Sequence, residues 1–162
     1  MLQRIQTLYL FLVLVLSVLL FMVPFCEFPF SENLGLASQK YVFNIYGFHF
    51  HDSEGEAKIA FNFNFPLLIN LLIILNSVVI IYVFKNRKLQ LRLGKLNLLL
   101  ISIILGIVFS YTGTYSSFIS LEHSTSYRVG AYLPLLSLVL NYLAIRAIKK
   151  DEDLVRSADR IR

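Results

Sequence analysis

The chain has 162 residues, of which 57% are hydrophobic and 15% charged, a composition outside the range of soluble domains and typical of an integral membrane protein. The net charge of +5 favours contact with anionic lipid headgroups over nucleic acid, because the cations fall beside apolar runs. The single cysteine, Cys26, excludes an intrachain disulfide, a redox relay of paired cysteines and a zinc site built on thiolates.

The first apolar run, residues 5–23, follows Arg4 and ends before Pro24. As a helix it would be roughly 28 Å long, which matches the hydrocarbon thickness of a bilayer. A cleaved signal peptide begins in the same way, but cleavage needs small residues, and Met22, Val23 and Phe25 do not supply them. We therefore predict a retained membrane anchor.

The segment 24–65 is acidic and aromatic, with five acids against two lysines, and this charge balance places it on the non-cytoplasmic side. Residues 41–50 and 58–65 alternate between apolar and polar side chains with the period of a strand. The intervening HDSEGE supplies turn residues. We therefore predict an antiparallel β-hairpin whose aromatic face lies on the outer ends of the helices or at the lipid headgroups.

Three further apolar runs follow, at about residues 66–84, 96–117 and 129–145. Between the first two of them lies the loop 85–95, which carries five cations and no acid. Positively charged loops stay on the cytoplasmic face, so this loop sets the orientation of the spans on either side of it. The sequence predicts an all-α membrane fold, a bundle of four transmembrane helices forming one domain with both termini cytoplasmic.

Polar and small residues inside the spans mark candidate contacts between helices. Asn70 and Ser77 are seven positions apart and share a helix face, and Asn141 lies on the fourth span. We expect them to face other helices, because an unpaired amide in lipid is costly. Small residues also recur at every fourth position of the third span and are predicted to form the packing seam of the bundle. They are Ser102, Gly106, Ser110 and Thr114.

The tail 146–162 has apolar and charged side chains at helical spacing and is predicted to form an amphipathic cytoplasmic helix. Two interpretations stay open: the helix lies on anionic headgroups, or it docks a protein partner. The candidate docking residues combine this tail with the cations of the first span and of the basic loop. They are Arg4, Arg87, Lys88, Arg92, Lys149, Lys150, Arg156, Asp159 and Arg160.

The spans contain no ionisable residue between their ends, whereas proton-coupled transporters usually carry one there. Candidate nucleophiles are present, but no base beside them can be identified from the sequence. His49 and His51 lie two apart on a predicted strand and could bind a metal together with nearby acids, but we favour a solvated turn. We expect no enzyme activity, no cofactor and no metal.

The two ends of the chain are informative together. The segment QRIQ at residues 3–6 and a set of residues in the tail resemble a family of small four-span membrane proteins from Bacteroidota that is classed as a domain of unknown function. The residues that carry the resemblance are Gln3, Arg4, Ile5, Gln6, Arg146, Ala147, Lys150, Asp151, Leu154, Val155, Arg156, Ser157, Ala158, Asp159 and Arg162. The resemblance implies a bacterial inner-membrane protein and brings no activity, cofactor or catalytic residue with it.

We expect a structural or accessory membrane protein that docks a protein partner or lipid through its cytoplasmic face, with no nucleic-acid partner. The alternative is a small channel or carrier for a neutral or lipid-like solute, which requires a wet cavity that reaches the middle of the membrane. Its path would use the polar residues Asn70, Asn76, Ser110, Thr114 and Asn141.

Overall fold

A computed structural model of the chain describes residues 2–30, 39–51, 57–62, 65–84, 86–118 and 126–160. Within these residues the elements are four helices and five strands. The helices are α1 (Leu2–Leu19), α2 (Phe65–Tyr82), α3 (Arg87–Phe118) and α4 (Val129–Arg160). The strands are β1 (Cys26–Phe30), β2 (Gln39–Asn44), β3 (Gly47–His51), β4 (Ala57–Asn62) and β5 (Ser126–Tyr127).

The helices form a ring in which α1 packs against α2 and α4, and α3 packs against the same two helices. The connection between α2 and α3 is short, so these two helices are antiparallel neighbours. Asn86 caps α3, because its side-chain oxygen accepts a hydrogen bond from the amide of Leu89 at 3.4 Å. Helix α2 carries Pro66 in its first turn, where the missing amide hydrogen is not needed.

Three of the described helices are long and apolar enough to cross a membrane, over Phe65–Tyr82, Arg87–Gly113 and Val129–Val155. Helix α1 contributes a shorter apolar stretch, Ile5–Leu19. The helix ends differ from the predicted spans. Helix α1 stops at Leu19 and a turn follows it, whereas α3 begins at Arg87, so most of the predicted basic loop forms the first turns of a helix. Helix α4 continues through the predicted tail to Arg160.

The strands form one antiparallel sheet in the order β4-β3-β2-β1-β5. The predicted hairpin is present as the pair β3 and β4, with Phe48 opposite Phe61. Residues 41–50, predicted as a single strand, are instead divided between β2 and β3. The chain reverses there between Asn44 and Gly47: the Asn44 side-chain oxygen accepts a hydrogen bond from the amide of Tyr46 at 3.0 Å, and Gly47 has a φ of 130° that favours glycine.

The sheet packs on the helices of its own chain through a layer of aromatic side chains. Phe25, Phe43 and Phe48 are at most 1% exposed and share one core with residues of the four helices. The Phe43 ring stacks on Phe48, with 4.4 Å between ring centroids, and on Tyr111 of α3 at 6.2 Å. The sheet and the bundle therefore share a single hydrophobic core, which places the sheet across one end of the bundle.

The start of α4 is held against the chain that follows α1. The Gly130 amide donates a hydrogen bond to the Pro24 carbonyl oxygen at 3.1 Å, and the Arg128 amide donates one to the Phe25 carbonyl oxygen at 2.9 Å. The Arg128 guanidinium also pairs with the Glu27 carboxylate at 2.6 Å. These contacts bring β5 beside β1 and join this edge of the sheet to the start of α4.

Candidate functional site

The end of the bundle opposite the sheet carries a cluster of exposed cations, and we call it the basic end. It is formed by the first residues of α1, the end of α2, the start of α3 and the last part of α4. Its exposed cations are Lys88, Arg92, Lys95, Arg146, Lys149 and Lys150. At the sheet end Glu27 pairs with Arg128, and the other four acids of the predicted acidic loop, Glu32, Asp52, Glu54 and Glu56, lie outside the described residues.

A groove of about 540 Å³ opens at the basic end between α1, the end of α2 and the start of α3. Its volume lies within the range of roughly 300 to 1,000 Å³ that is usual for small-molecule sites. The residues that line it are Gln6, Thr7, Leu8, Phe11, Ile81, Phe84, Arg87 and Gln90. Among the described lining residues polar and apolar side chains are equal in number, and these walls are amphipathic.

The polar side of the groove is held by hydrogen bonds to α4. The Gln6 side chain is 5% exposed, and its amide nitrogen donates to the carboxylate of Asp151 and to the Ala147 carbonyl oxygen at 3.3 Å. Asp151 is itself 6% exposed. The Arg87 guanidinium donates to the backbone carbonyl oxygen of Asp151 at 2.6 Å. Residues of α1, α3 and α4 therefore meet behind the groove.

The positive charge of Arg87 is left available by this arrangement. Within the described residues the Arg87 guanidinium donates its hydrogen bond to a neutral carbonyl oxygen. The Asp151 carboxylate accepts instead from the neutral amide of Gln6. A guanidinium carries five N–H donors and binds carboxylates and phosphates through two of them at once. Arg87 is half-buried at the groove wall, where an anion could reach it.

The mouth of the groove is apolar. Leu8 and Phe11 lie one turn apart on α1 and are 56% and 55% exposed, and Phe84, just after α2, is 55% exposed. Large apolar side chains at such exposure are unfavourable in water and compatible with lipid acyl chains. The groove thus combines a cationic and amide-lined inner part with an apolar opening.

A second polar group of side chains lies deeper in the bundle. The Asn97 amide donates to the Ser77 hydroxyl at 3.1 Å and to the Asn141 side-chain oxygen at 3.4 Å. The Asn141 amide donates to the Gly94 carbonyl oxygen at 3.0 Å. Asn97, Ser77 and Asn141 are completely buried, so one polar network joins α2, α3 and α4 in the core.

Asn97 was missed by the sequence analysis, although an isolated asparagine in the run LNLLL was a detectable signal. Asn70, on the predicted face with Ser77, is also completely buried, and its amide donates to the Ser17 carbonyl oxygen of α1 at 2.9 Å. The side-chain oxygens of Asn70 and Asn97 have no hydrogen-bond partner among the described residues. The asparagines therefore connect all four helices.

The predicted stripe of small residues lies on the opposite face of α3. Ser102, Gly106 and Ser110 are exposed, and a Cβ atom added to Gly106 would meet nothing within 4 Å. Within the described chain the stripe is therefore not the packing seam, and the side chain of Thr114 lies outside the described part. The buried face of α3 is instead set by its bulky residues, which follow helical spacing. They are Ile101, Ile104 and Val108, together with Asn97 and Thr112.

The predicted docking residues fall into three groups. Lys88, Arg92, Lys149 and Lys150 are exposed at the basic end. Arg87 lines the groove and contacts α4. The remaining predictions concern side chains outside the described residues: Arg4, Arg156, Asp159 and Arg160.

Two reactive residue types lie near the sheet. Burial raises the pKa of the Cys26 thiol to about 11. The nearby charge of Glu27 also raises this pKa, whereas the contact with the Thr112 hydroxyl at 3.8 Å lowers it. The thiol is therefore protonated at neutral pH and a poor nucleophile. His49 has a buried Nε2 atom without a described partner, and the side chain of His51 lies outside the described residues. Among the described side chains no three potential metal ligands lie together.

Fold and site together define a small helical-bundle protein with three helices of membrane-spanning length, a sheet across one end and an amphipathic groove at the other. A family described as a domain of unknown function, DUF4293, matches residues 2–161, and the chain belongs to this family. The resemblance predicted from the two chain ends is confirmed in one respect, that the family is a domain of unknown function. No curated protein matches the chain.

Proposed function

We propose that the chain is an integral protein of the bacterial inner membrane with four spans and both termini on the cytoplasmic side. Its role is structural or accessory: the basic end docks anionic lipid or a protein partner. The observation that carries the proposal is the concentration of exposed cations at one end of an otherwise apolar bundle. Cation-rich segments are retained on the cytoplasmic side and are attracted to anionic headgroups.

Exposed apolar side chains support α1 as the fourth span. Ile5, Leu8, Phe11 and Val18 are each at least 45% exposed, as are many leucines on the outward faces of α2, α3 and α4. Helix α1 packs in the ring beside two helices of membrane-spanning length. Its 18 residues correspond to about 27 Å, close to the hydrocarbon thickness.

The carrier alternative finds less support. The groove does not include any of the polar residues assigned to a solute path, since its lining comes from the basic end alone. Asn70, Asn76 and Asn141 each donate to a backbone carbonyl oxygen of a neighbouring segment. Such bonds stabilise contacts between helices. We therefore favour docking at the basic end over transport through the core.

The orientation is tested by labelling single cysteines with a membrane-impermeant maleimide in spheroplasts. The background is Cys26→Ala, because Cys26 is the only cysteine of the sequence. The test positions are exposed at the sheet end (Met22→Cys and Ser126→Cys) and at the basic end (Lys88→Cys and Lys149→Cys). We expect the sheet-end cysteines to react in intact spheroplasts and the basic-end cysteines to react only after lysis.

Helix α1 is tested by comparing Arg4→Cys with Met22→Cys in the same assay. Opposite accessibility shows that α1 crosses the membrane, whereas equal accessibility contradicts the four-span proposal. Reaction of Lys88→Cys and Lys149→Cys from outside would contradict the cytoplasmic placement of the basic end.

A further inference from the structure

We propose that the groove between α1, α2 and α3 is a binding site for one anionic membrane lipid. This proposal rests on the membrane insertion proposed above and names a ligand for the basic end. The negatively charged headgroup lies at Arg87, and an acyl chain leaves the groove between Leu8, Phe11 and Phe84. The ligand class follows from the two kinds of side chain that the groove brings together.

The headgroup position follows from charge. The Arg87 guanidinium is a half-buried cation at the groove wall. Within the described residues it donates a hydrogen bond to a neutral carbonyl oxygen. Three acids, Asp151, Glu152 and Asp153, follow one another on α4 at this end; Asp151 is 6% exposed and its carboxylate accepts from the Gln6 amide. Exposed Lys88 and Lys150 add positive charge at the same end of the bundle. A phosphate group provides the complementary charge and accepts two guanidinium hydrogen bonds at once.

The acyl-chain position follows from the apolar walls. Leu8 and Phe11 are three positions apart on α1, while Ile81 lies at the end of α2 and Phe84 in the turn that follows it. Leu8 and Phe11 form an apolar ridge about one helical turn long, and Ile81 and Phe84 form a second apolar ridge of the groove. A linear chain between the two ridges would cover exposed apolar surface while its polar end reaches Arg87. A soluble anion would leave these ridges uncovered.

A membrane source for the ligand is favoured by the surroundings of the groove. Its mouth lies on the outer surface of α1 and α2, where Leu12, Leu75 and Val79 are also more than one third exposed. This surface faces acyl chains if the helices cross a bilayer, so a lipid can enter sideways without leaving the membrane. The polar part of the groove lies at the helix ends, at the depth of the headgroups.

The test uses the full chain in phosphatidylcholine vesicles that contain a small fraction of phosphatidylglycerol with a photoreactive acyl chain. After irradiation, mass spectrometry of peptides locates the labelled residues. We expect labelling on the segments around Leu8, Phe11 and Phe84. Arg87→Gln is expected to lower this labelling about tenfold, the effect of losing one charge-assisted hydrogen-bonded contact.

Two matched controls accompany these measurements. Arg92→Gln removes the same charge from an exposed position of the same helix outside the groove lining and should lower labelling of the groove much less than Arg87→Gln. Leu8→Trp fills the mouth without changing the charge and should reduce labelling. Leu75→Trp, at a position of α2 that is 62% exposed and outside the groove lining, should not. The Leu8 pair keeps the proposal testable if Arg87→Gln does not fold.

Equal labelling of Arg87→Gln and Arg92→Gln would overturn the proposal, as would equal labelling of the groove by photoreactive phosphatidylcholine. In both cases the groove would not select an anionic headgroup. Unchanged labelling in Leu8→Trp would show that the lipid binds elsewhere. The cysteine labelling in spheroplasts separates the two proposals. The expected orientation together with lipid labelling that does not depend on Arg87 overturns only the lipid site, whereas the opposite orientation overturns the membrane placement.

Discussion

Gly130 is placed where the start of α4 comes closest to the chain after α1. A Cβ atom at this position would lie 2.3 Å from the Pro24 carbonyl oxygen and 2.9 Å from that of Val23. Because both are backbone atoms, Gly130→Ala must separate the two segments and weaken the hydrogen bond between Gly130 and Pro24. We expect the variant to lose on the order of 1 to 3 kcal/mol of stability, measured as a lower thermal unfolding midpoint in detergent.

Gly106→Ala is the matched control at the residue scale. Gly106 lies within α3 and has no neighbour within 4 Å of the added methyl group. Alanine has the higher helix propensity, so this variant should be neutral or more stable by up to about 1 kcal/mol. A loss of stability at both glycines would indicate that helix propensity and steric contact are not the governing factors.

Among the helical elements, α2, α3 and α4 are joined by the buried network of Asn97, Ser77 and Asn141. Asn97→Ala removes the donor to both partners, and we expect a loss of roughly 0.6 to 2 kcal/mol per interhelical hydrogen bond. The measurement is unfolding of single and double variants with Asn141→Ala. A network predicts that the two losses are not additive, and strict additivity would contradict it.

Ser102→Ala provides the control on α3. The Ser102 hydroxyl donates to the Leu98 carbonyl oxygen of its own helix at 2.9 Å and its side chain is exposed. Its removal deletes a polar group without breaking a hydrogen bond between helices. We expect a change within about 0.5 kcal/mol, the range usual for surface substitutions.

At the scale of the whole molecule, sheet and bundle share one core, so they should unfold together. Phe43 is completely buried between them and contacts Phe48 and Tyr111. Phe43→Ala is expected to cost about 3 to 5 kcal/mol. Far-ultraviolet circular dichroism follows the helices, and the reactivity of the Cys26 thiol, which is buried in β1, follows the sheet; both should shift to the same lower midpoint.

Phe109→Ala serves as the comparison, because this ring lies on α3 but is 52% exposed. It should cost much less than Phe43→Ala, since most of its surface stays outside the shared core. If Phe43→Ala lowered the midpoint of the Cys26 reactivity alone, the sheet would be an independent unit and the shared core would not couple it to the helices.

Much of the helical architecture follows from the sequence, because a long apolar run specifies a helix locally. The sheet was less predictable. Strand β1 contains Pro29 and β5 has only two residues, so neither shows a strand pattern of its own. Their pairing forms because the start of α4 carries Ser126 and Tyr127 to Glu27 and Cys26. The turn between β2 and β3 was hidden because Ile45 and Tyr46 continue an apolar run.

Of the candidate site, the sequence pattern predicted only the cationic residues. Arg87 was identified as a docking residue from the basic loop, whereas Gln6 and Asp151 entered the sequence analysis only through the family resemblance. The small-residue stripe was predicted to be the packing seam, but Ser102, Gly106 and Ser110 are exposed in the described chain. The large residues on the opposite face of α3 bury more apolar surface and face the other helices instead. The rule that small residues mark helix contacts describes a tendency that the packing of Ile101, Ile104 and Val108 overrides here.

The sequence by itself determined the apolar helices and the basic end, since hydropathy and charge belong to contiguous residues. Only the tertiary structure decided which faces of the helices meet. Gln6 and Asp151 are 145 positions apart in the sequence, and they share a hydrogen bond because the ring of helices brings the first and last helices side by side. The rotation of each helix about its axis, and with it the groove at Arg87, is set by packing against two neighbours, which local sequence does not encode.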